Sequence, residues 1–182
     1  MLMKFWRENR WAAGLLTVLR VMLGWQWLTS GWGKITGGGF DASGYLNNAV
    51  TNPVTSGGTG EIAYPTYNAF IEHFALPNVK LINVLVPWGE MLVGLGLILG
   101  TLTVTAAFFG MMMNFMFMFA GTVSTNPWLI LLGTLVLVGG ANAGRFGLDR
   151  YVLPMLHTQF DKLTGRKGKT RTPGGDLQHK QA

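Results

Sequence analysis

Four apolar stretches, 11–32, 83–99, 102–120 and 128–143, hold only two charged side chains between them, Arg20 and Glu90. That pattern leaves few folds open to the chain. A helix of about 20 apolar residues covers a hydrocarbon core of roughly 30 Å. In lipid, only helices and closed barrels satisfy their own backbone groups. Residues 83–120 read as a helical pair broken at Gly100-Thr101, because one helix of that length overshoots a bilayer. Ser124-Thr125-Asn126-Pro127 marks the next turn. The predicted fold class is therefore an all-α membrane protein, a four-transmembrane-helix bundle. Only 12% of residues are charged, against about 25% in soluble domains. The 26 glycines suit close helix packing in lipid. A signal peptide competes for the first stretch. Its length, its Arg20 and its lack of a small-residue cleavage site favour an uncleaved helix.

The domain organisation follows. Residues 1–162 form the membrane domain, and 163–182 form a basic tail expected to be mobile. The connection 33–80 is long for a loop and carries aromatics, so it is expected to fold over the mouth of the bundle. One amphipathic piece is predicted from Asp41 through Tyr45, Leu46 and Ala49, and another after Pro65 with Phe70, Ile71 and Phe74. Lys4, Arg7, Arg10, Arg145, Arg150 and the tail lie at one end, with Lys34 and Lys80 alone at the other. The positive-inside rule places both termini in the cytoplasm and makes 33–80 an extracytoplasmic loop. Trp6, Trp11, Trp32, Trp88 and Trp128 sit near the predicted boundaries. The localisation is a multi-pass cell membrane protein. The net charge of +6 points to anionic lipid headgroups as partners, not to nucleic acid.

With no cysteine, iron–sulfur ligation, c-type haem attachment, dithiol chemistry and disulfides are excluded. His73, His157 and His179 all lie outside strongly apolar segments, so no haem or metal is expected. The Met111–Met113 run with Met116 and Met118 could offer thioether ligands, but adaptable packing is the simpler reading.

Arg20 and Glu90 carry the functional expectation. Each alone is costly in hydrocarbon. Counted from their helix ends they differ in depth by only about 8 Å, within an arginine's reach. They are predicted to pair, directly or through Gln26 or water. Either the pair merely registers two helices, or it lines a polar pocket. Arg20, Trp27, Gly31 and Lys34 share one helix face, with Gln26 beside it. Asn83 and Glu90 share another, Trp88 would wall the pocket, and Asn114 would reach in from the third helix. Pro87 could open the backbone beside Glu90 or only kink the helix.

Three runs then resemble the DoxX/DoxD-like membrane proteins. They are Leu19-Arg20-Val21-Met22-Leu23-Gly24 with Gly31-Trp32-Gly33-Lys34; Gly89-Glu90-Met91-Leu92-Val93-Gly94 continuing to Gly100; and Gly144-Arg145-Phe146-Gly147-Leu148-Asp149. The resemblance covers about 15–155, and the long connection looks more like the DoxD branch. It implies a four-helix membrane subunit linked to quinone redox chemistry, of the kind associated with thiosulfate:quinone oxidoreductase. It carries over Arg20, Glu90, Arg145 and Asp149 as motif matches without a role; in the quinone reading Glu90 and Arg20 are the catalytic candidates, expected to orient the headgroup and move protons. A quinone would be the cofactor, and membrane or redox subunits or further copies of the chain the partners. The residues leave open whether catalysis resides in this chain. An accessory subunit of a larger complex and a small-molecule or lipid carrier remain the alternatives.

Overall fold

The computed structural model describes residues 1–164. The basic tail beyond that point lies outside the described residues. The described chain is helical and holds no strand, only an antiparallel bridge between Thr55 and Ile62. In chain order the helices are α1 (Leu2–Glu8), α2 (Arg10–Thr36), α3 (Ser43–Thr51), α4 (Pro65–Phe70), α5 (Val79–Leu99), α6 (Thr103–Phe119), α7 (Asn126–Gly139) and α8 (Asp149–Leu163). A π-turn, Ile71–Ala75, extends α4, and a 3₁₀ turn, Gly140–Asn142, extends α7.

Four long helices close into a ring in which α2 packs on α5, α5 on α6, α6 on α7 and α7 back on α2. Their common core is Leu16, Leu23, Trp27, Val93, Leu97, Ala106, Ala107 and Val136, with Ala143 from the segment after α7. The α2–α5 contact is the tightest, and its sequence cause is glycine. A Cβ built on Gly24 would lie 2.8 Å from the Gly94 carbonyl oxygen, and one on Gly94 would lie 2.5 Å from the Leu28 nitrogen. Such backbone approach is the usual use of small residues between apolar helices. The antiparallel register that results sets Gly31 against Pro87 and Met91.

The helices follow the apolar stretches, with α2 and α5 running past theirs, α6 falling just inside its own and α7 starting two residues early and ending four early. α2 extends the first stretch at both ends, and α5 starts four residues before Asn83, because Val79 and Ile82 pack under the connecting segment. α5 is long and apolar enough to cross a membrane, whereas α6 and Asn126–Asn142 are shorter apolar helices. The turn between α5 and α6 is left-handed at Gly100 (φ 63°) and Leu102 (φ 49°).

The connecting segment folds into a cap with its own small core. Ala42, Leu46 and Ala49 of the α3 region pack on Ile71, Ala75 and Ala120. The Asp41 carboxylate accepts hydrogen bonds from Ser43, and Pro65 opens α4 at its first position. Tyr64, tilted, and Tyr67, edge-on, pack against Phe119 with ring centroids 4.4 and 5.7 Å away, which ties the cap to the end of α6.

Candidate functional site

Beneath the cap, where α2 ends and α7 begins, lies a cavity of about 340 Å³. Its walls are polar on the α2 and α5 side, where Gln26, Ser30, Lys34 and Glu90 gather. Asn114 reaches it from α6, and Thr122, Ser124, Thr125 and Asn126 rim it at the start of α7. Trp27, Phe40, Tyr45, Val86, Phe117 and Leu129 complete the lining.

Glu90 is the centre of this wall. Its Oε2 accepts Lys34 Nζ at 2.6 Å and Ser30 Oγ at 3.0 Å, and Lys34 also donates to Ser30 at 2.8 Å. The Glu90 side chain is 3% exposed but that of Lys34 is 27% exposed, so the pair is dry on the helix side and open toward the cavity. Helix spacing places Ser30 and Lys34 one turn apart on α2, facing the same carboxylate. Lys34 Nζ also stands 5.7 Å from the Phe40 ring of the cap. Opposite, the Tyr45 hydroxyl donates to the Phe117 carbonyl at 3.2 Å and accepts from Thr122. Burial pushes the Tyr45 hydroxyl's pKa up, so it stays a protonated donor at neutral pH. Asn114 is 1% exposed, and its Oδ1 has no partner among the described residues. A second, apolar slot of about 110 Å³ adjoins the cavity across Phe40, Tyr45, Val86 and Phe117, and runs on to Phe70, Met113 and Met116.

The predicted Arg20–Glu90 pair does not form. Arg20 is buried, but it donates to the carbonyls of Leu97 at 2.6 Å, Ile98 at 3.0 Å and Phe146 at 3.4 Å. The register that opposes Gly24 to Gly94 carries Arg20 to the far end of α5, about 12 Å along the helix from Glu90. Depth counted along each helix alone could not show this, because the Gly24–Gly94 contact sets the register and brings Glu90 beside Gly31 and Lys34. Arg20 holds the α5–α6 turn: a Cβ on Gly100 would fall 2.6 Å from its Cζ.

Of the other sequence candidates, Gln26, Trp27, Lys34 and Asn114 line the cavity. Asn83 does not; its amide oxygen accepts the Ala42 N–H at 2.8 Å and its nitrogen donates to Asp41, which pins the cap to α5. Trp88 is 50% exposed on the outer side of α5 and walls nothing. Asp149 sits at the opposite end, where its carboxylate accepts the Leu102 and Thr103 N–H groups at 2.5 and 3.1 Å and caps α6. Arg145 donates to the Glu8 carbonyl at 3.1 Å, joining that end to α1. Ser30, Phe40, Tyr45 and the 122–126 rim were not among the sequence candidates. For Ser30, a signal was available in its spacing from Lys34; for the cap and rim, only the fold brings them in.

The family model described as DoxX matches residues 15–123. No curated protein and no solved structure matches the chain.

Proposed function

The chain belongs to the DoxX family, and from that premise we propose that it is a multi-pass membrane subunit of a quinone-linked redox system, holding a quinone or similar small headgroup in the cavity under the cap. The observation that carries this reading is Glu90, 2% exposed and held by Lys34 and Ser30 on the wall of a cavity of about 340 Å³. A concave pocket of this size is the usual form of a small-molecule site, and the polar residues that make up most of its lining suit a polar headgroup.

The distribution of apolar side chains supports embedding in lipid. Leu15, Val18, Met22 and Trp25 of α2, Val84, Leu85 and Leu92 of α5, Phe108 and Phe109 of α6 and Leu131 of α7 all face outward. An apolar surface of that extent on every helix of the ring suits hydrocarbon, not water. We read all four helices as spans, with both termini cytoplasmic and the cap outside, because the basic residues gather at the α1 and α8 end. α6, at 17 residues, is about 26 Å long, a shortfall a bilayer accommodates by modest thinning.

The residues present fit a quinone. Its ring oxygens need donors, which the third N–H of Lys34 and the Gln26 amide supply, and its tail needs an apolar path, which the adjoining slot offers. A bound quinone would supply two-electron, two-proton redox chemistry. Glu90 and Lys34 would hold and pass protons at the ring oxygens, and Trp27 would limit the pocket from below. Arg20 has no part in this reading. The long folded cap favours a DoxD-like role, and with no cysteine in the chain any sulfur substrate would rely on a partner's thiol or on the quinone itself.

The test is purification in mild detergent, followed by solvent extraction and mass spectrometry of the retained small molecules. Wild-type protein should keep isoprenoid quinone at a fixed ratio to chain, and Glu90→Gln should lower that ratio several-fold. Added quinone should quench the tryptophan fluorescence, and Trp27→Phe should reduce that quenching. Protein that retains none above the lipid background, and whose fluorescence ignores added quinone, rules the reading out. The outward Phe108, Phe109, Met112 and Phe115 of α6 favour one second reading, an accessory subunit docked on another membrane protein. Co-purification at fixed stoichiometry without any bound small molecule would support it.

A further inference from the structure

α8 leaves the bundle from a fixed root. The Leu148 N–H donates to the Leu99 carbonyl and the Asp149 N–H to the Gly100 carbonyl at 2.7 Å, while the Asp149 carboxylate caps α6. Beyond its first turn, α8 packs extensively on no other helix among the described residues. Yet it is amphipathic. Val152, Met155, Leu156, Phe160 and Leu163 recur at spacings of 3 and 4, the pattern of a single helix face. Met155, Leu156, Phe160 and Leu163 are 60, 42, 63 and 84% exposed. Arg150, His157 and Asp161 occupy the opposite side.

Three observations identify what covers the apolar side. First, residues 165–182 contain only one large apolar side chain, Leu177, too little apolar surface to cover the face. Second, the face continues through the exposed Phe146 and Leu148 to Leu99 and Leu102, the end of the outward apolar surface of α5 and α6. Third, the helix is set among cations: Arg145, Arg150 and Lys162, then Arg166, Lys167, Lys169 and Arg171, with Lys4, Arg7 and Arg10 at the same end of the bundle. An amphipathic helix with basic flanks and no protein cover among the described residues matches the boundary between anionic headgroups and acyl chains.

We propose that α8 is an in-plane membrane helix: Met155, Leu156, Phe160 and Leu163 enter the acyl region of the leaflet, and the flanking lysines and arginines contact anionic headgroups. The inference rests on the bundle being embedded in lipid, and its test separates the two. The chain has no cysteine, so single nitroxide labels report cleanly. Leu156→Cys, Phe160→Cys and Asp161→Cys on α8, with Leu92→Cys on α5 as a bundle reference, are labelled in the full chain. The protein is placed in nanodiscs of mixed phosphatidylcholine and phosphatidylglycerol. Collision with dissolved oxygen should exceed collision with a water-soluble nickel chelate several-fold at Leu92, Leu156 and Phe160, and the order should reverse at Asp161. A lipid signal at Leu92 with a water signal at Phe160 overturns the α8 proposal alone. A water signal at Leu92 overturns the bundle reading and α8 with it. Labels at Leu156 and Phe160 shielded from both reagents and broadened by spin–spin coupling overturn the lipid assignment in favour of a second copy of the chain.

Discussion

Two buried ionisable side chains solve the same physical problem in different ways. Arg20 gives its terminal guanidinium nitrogens to backbone carbonyls, though its Nε has no partner among the described residues, and so acts as a staple of the fold, whereas Glu90 takes a partly exposed cation and a hydroxyl and so faces an open space. A charged donor shared among three carbonyls is a strong contributor to stability. Arg20→Ala should therefore destabilise the protein by about 3 kcal/mol, read as a lower melting temperature in detergent, while ligand affinity per folded molecule stays unchanged. An Arg20→Ala protein that melts normally but binds nothing would return Arg20 to the site. Both charges were legible in the sequence as anomalies in apolar stretches. Their partners were not, because a partner depends on the register between two helices. Lys34 lies 56 residues from Glu90 along the chain, and nothing local marks that pairing.

At the level of helices, the glycines of α2 and α5 decide that register. Gly24 and Gly94 allow the two backbones to touch, and the touching point sets every other contact along the pair. Gly94→Ala would drive a methyl group into the Leu28 backbone and should destabilise by about 1–3 kcal/mol. Gly14→Ala, also inside a helix but with open space around it, should be neutral or stabilising by up to about 1 kcal/mol. Thermal unfolding of the two variants side by side checks the contrast. Equal effects would mean that the contact is not close packed. The cap makes a similar point. Its two short helices were visible as apolar periodicity around Tyr45 and Phe70, but the cavity beneath them was not. Phe40 and Tyr45 reach Glu90's pocket only because Asn83 holds Asp41 and Ala42 against α5.

For the molecule as a whole, the two ends of the ring differ in kind. One end is a clasp of Arg20, Asp149, Asn142 and Arg145 that closes on backbone groups. The other opens into the cavity under the cap. In the topology proposed above, the clasp faces the cytoplasm and the cap faces outward. A membrane-impermeant maleimide should then label Thr59→Cys on intact cells and Thr164→Cys only after permeabilisation. Labelling of both, or the reverse order, would refute that orientation.

Composition and periodicity alone determined that this chain is helical, that its long helices are apolar apart from a few polar positions, and that two charges inside them need company. Those properties follow from the spacing of side chains along one helix, which a linear sequence displays directly. Which charge meets which, and that the polar pocket belongs to Glu90 and Lys34 while Arg20 serves a turn, was decided in three dimensions. Contacts between helices depend on how far one slides against another, and a few close glycine contacts set that distance.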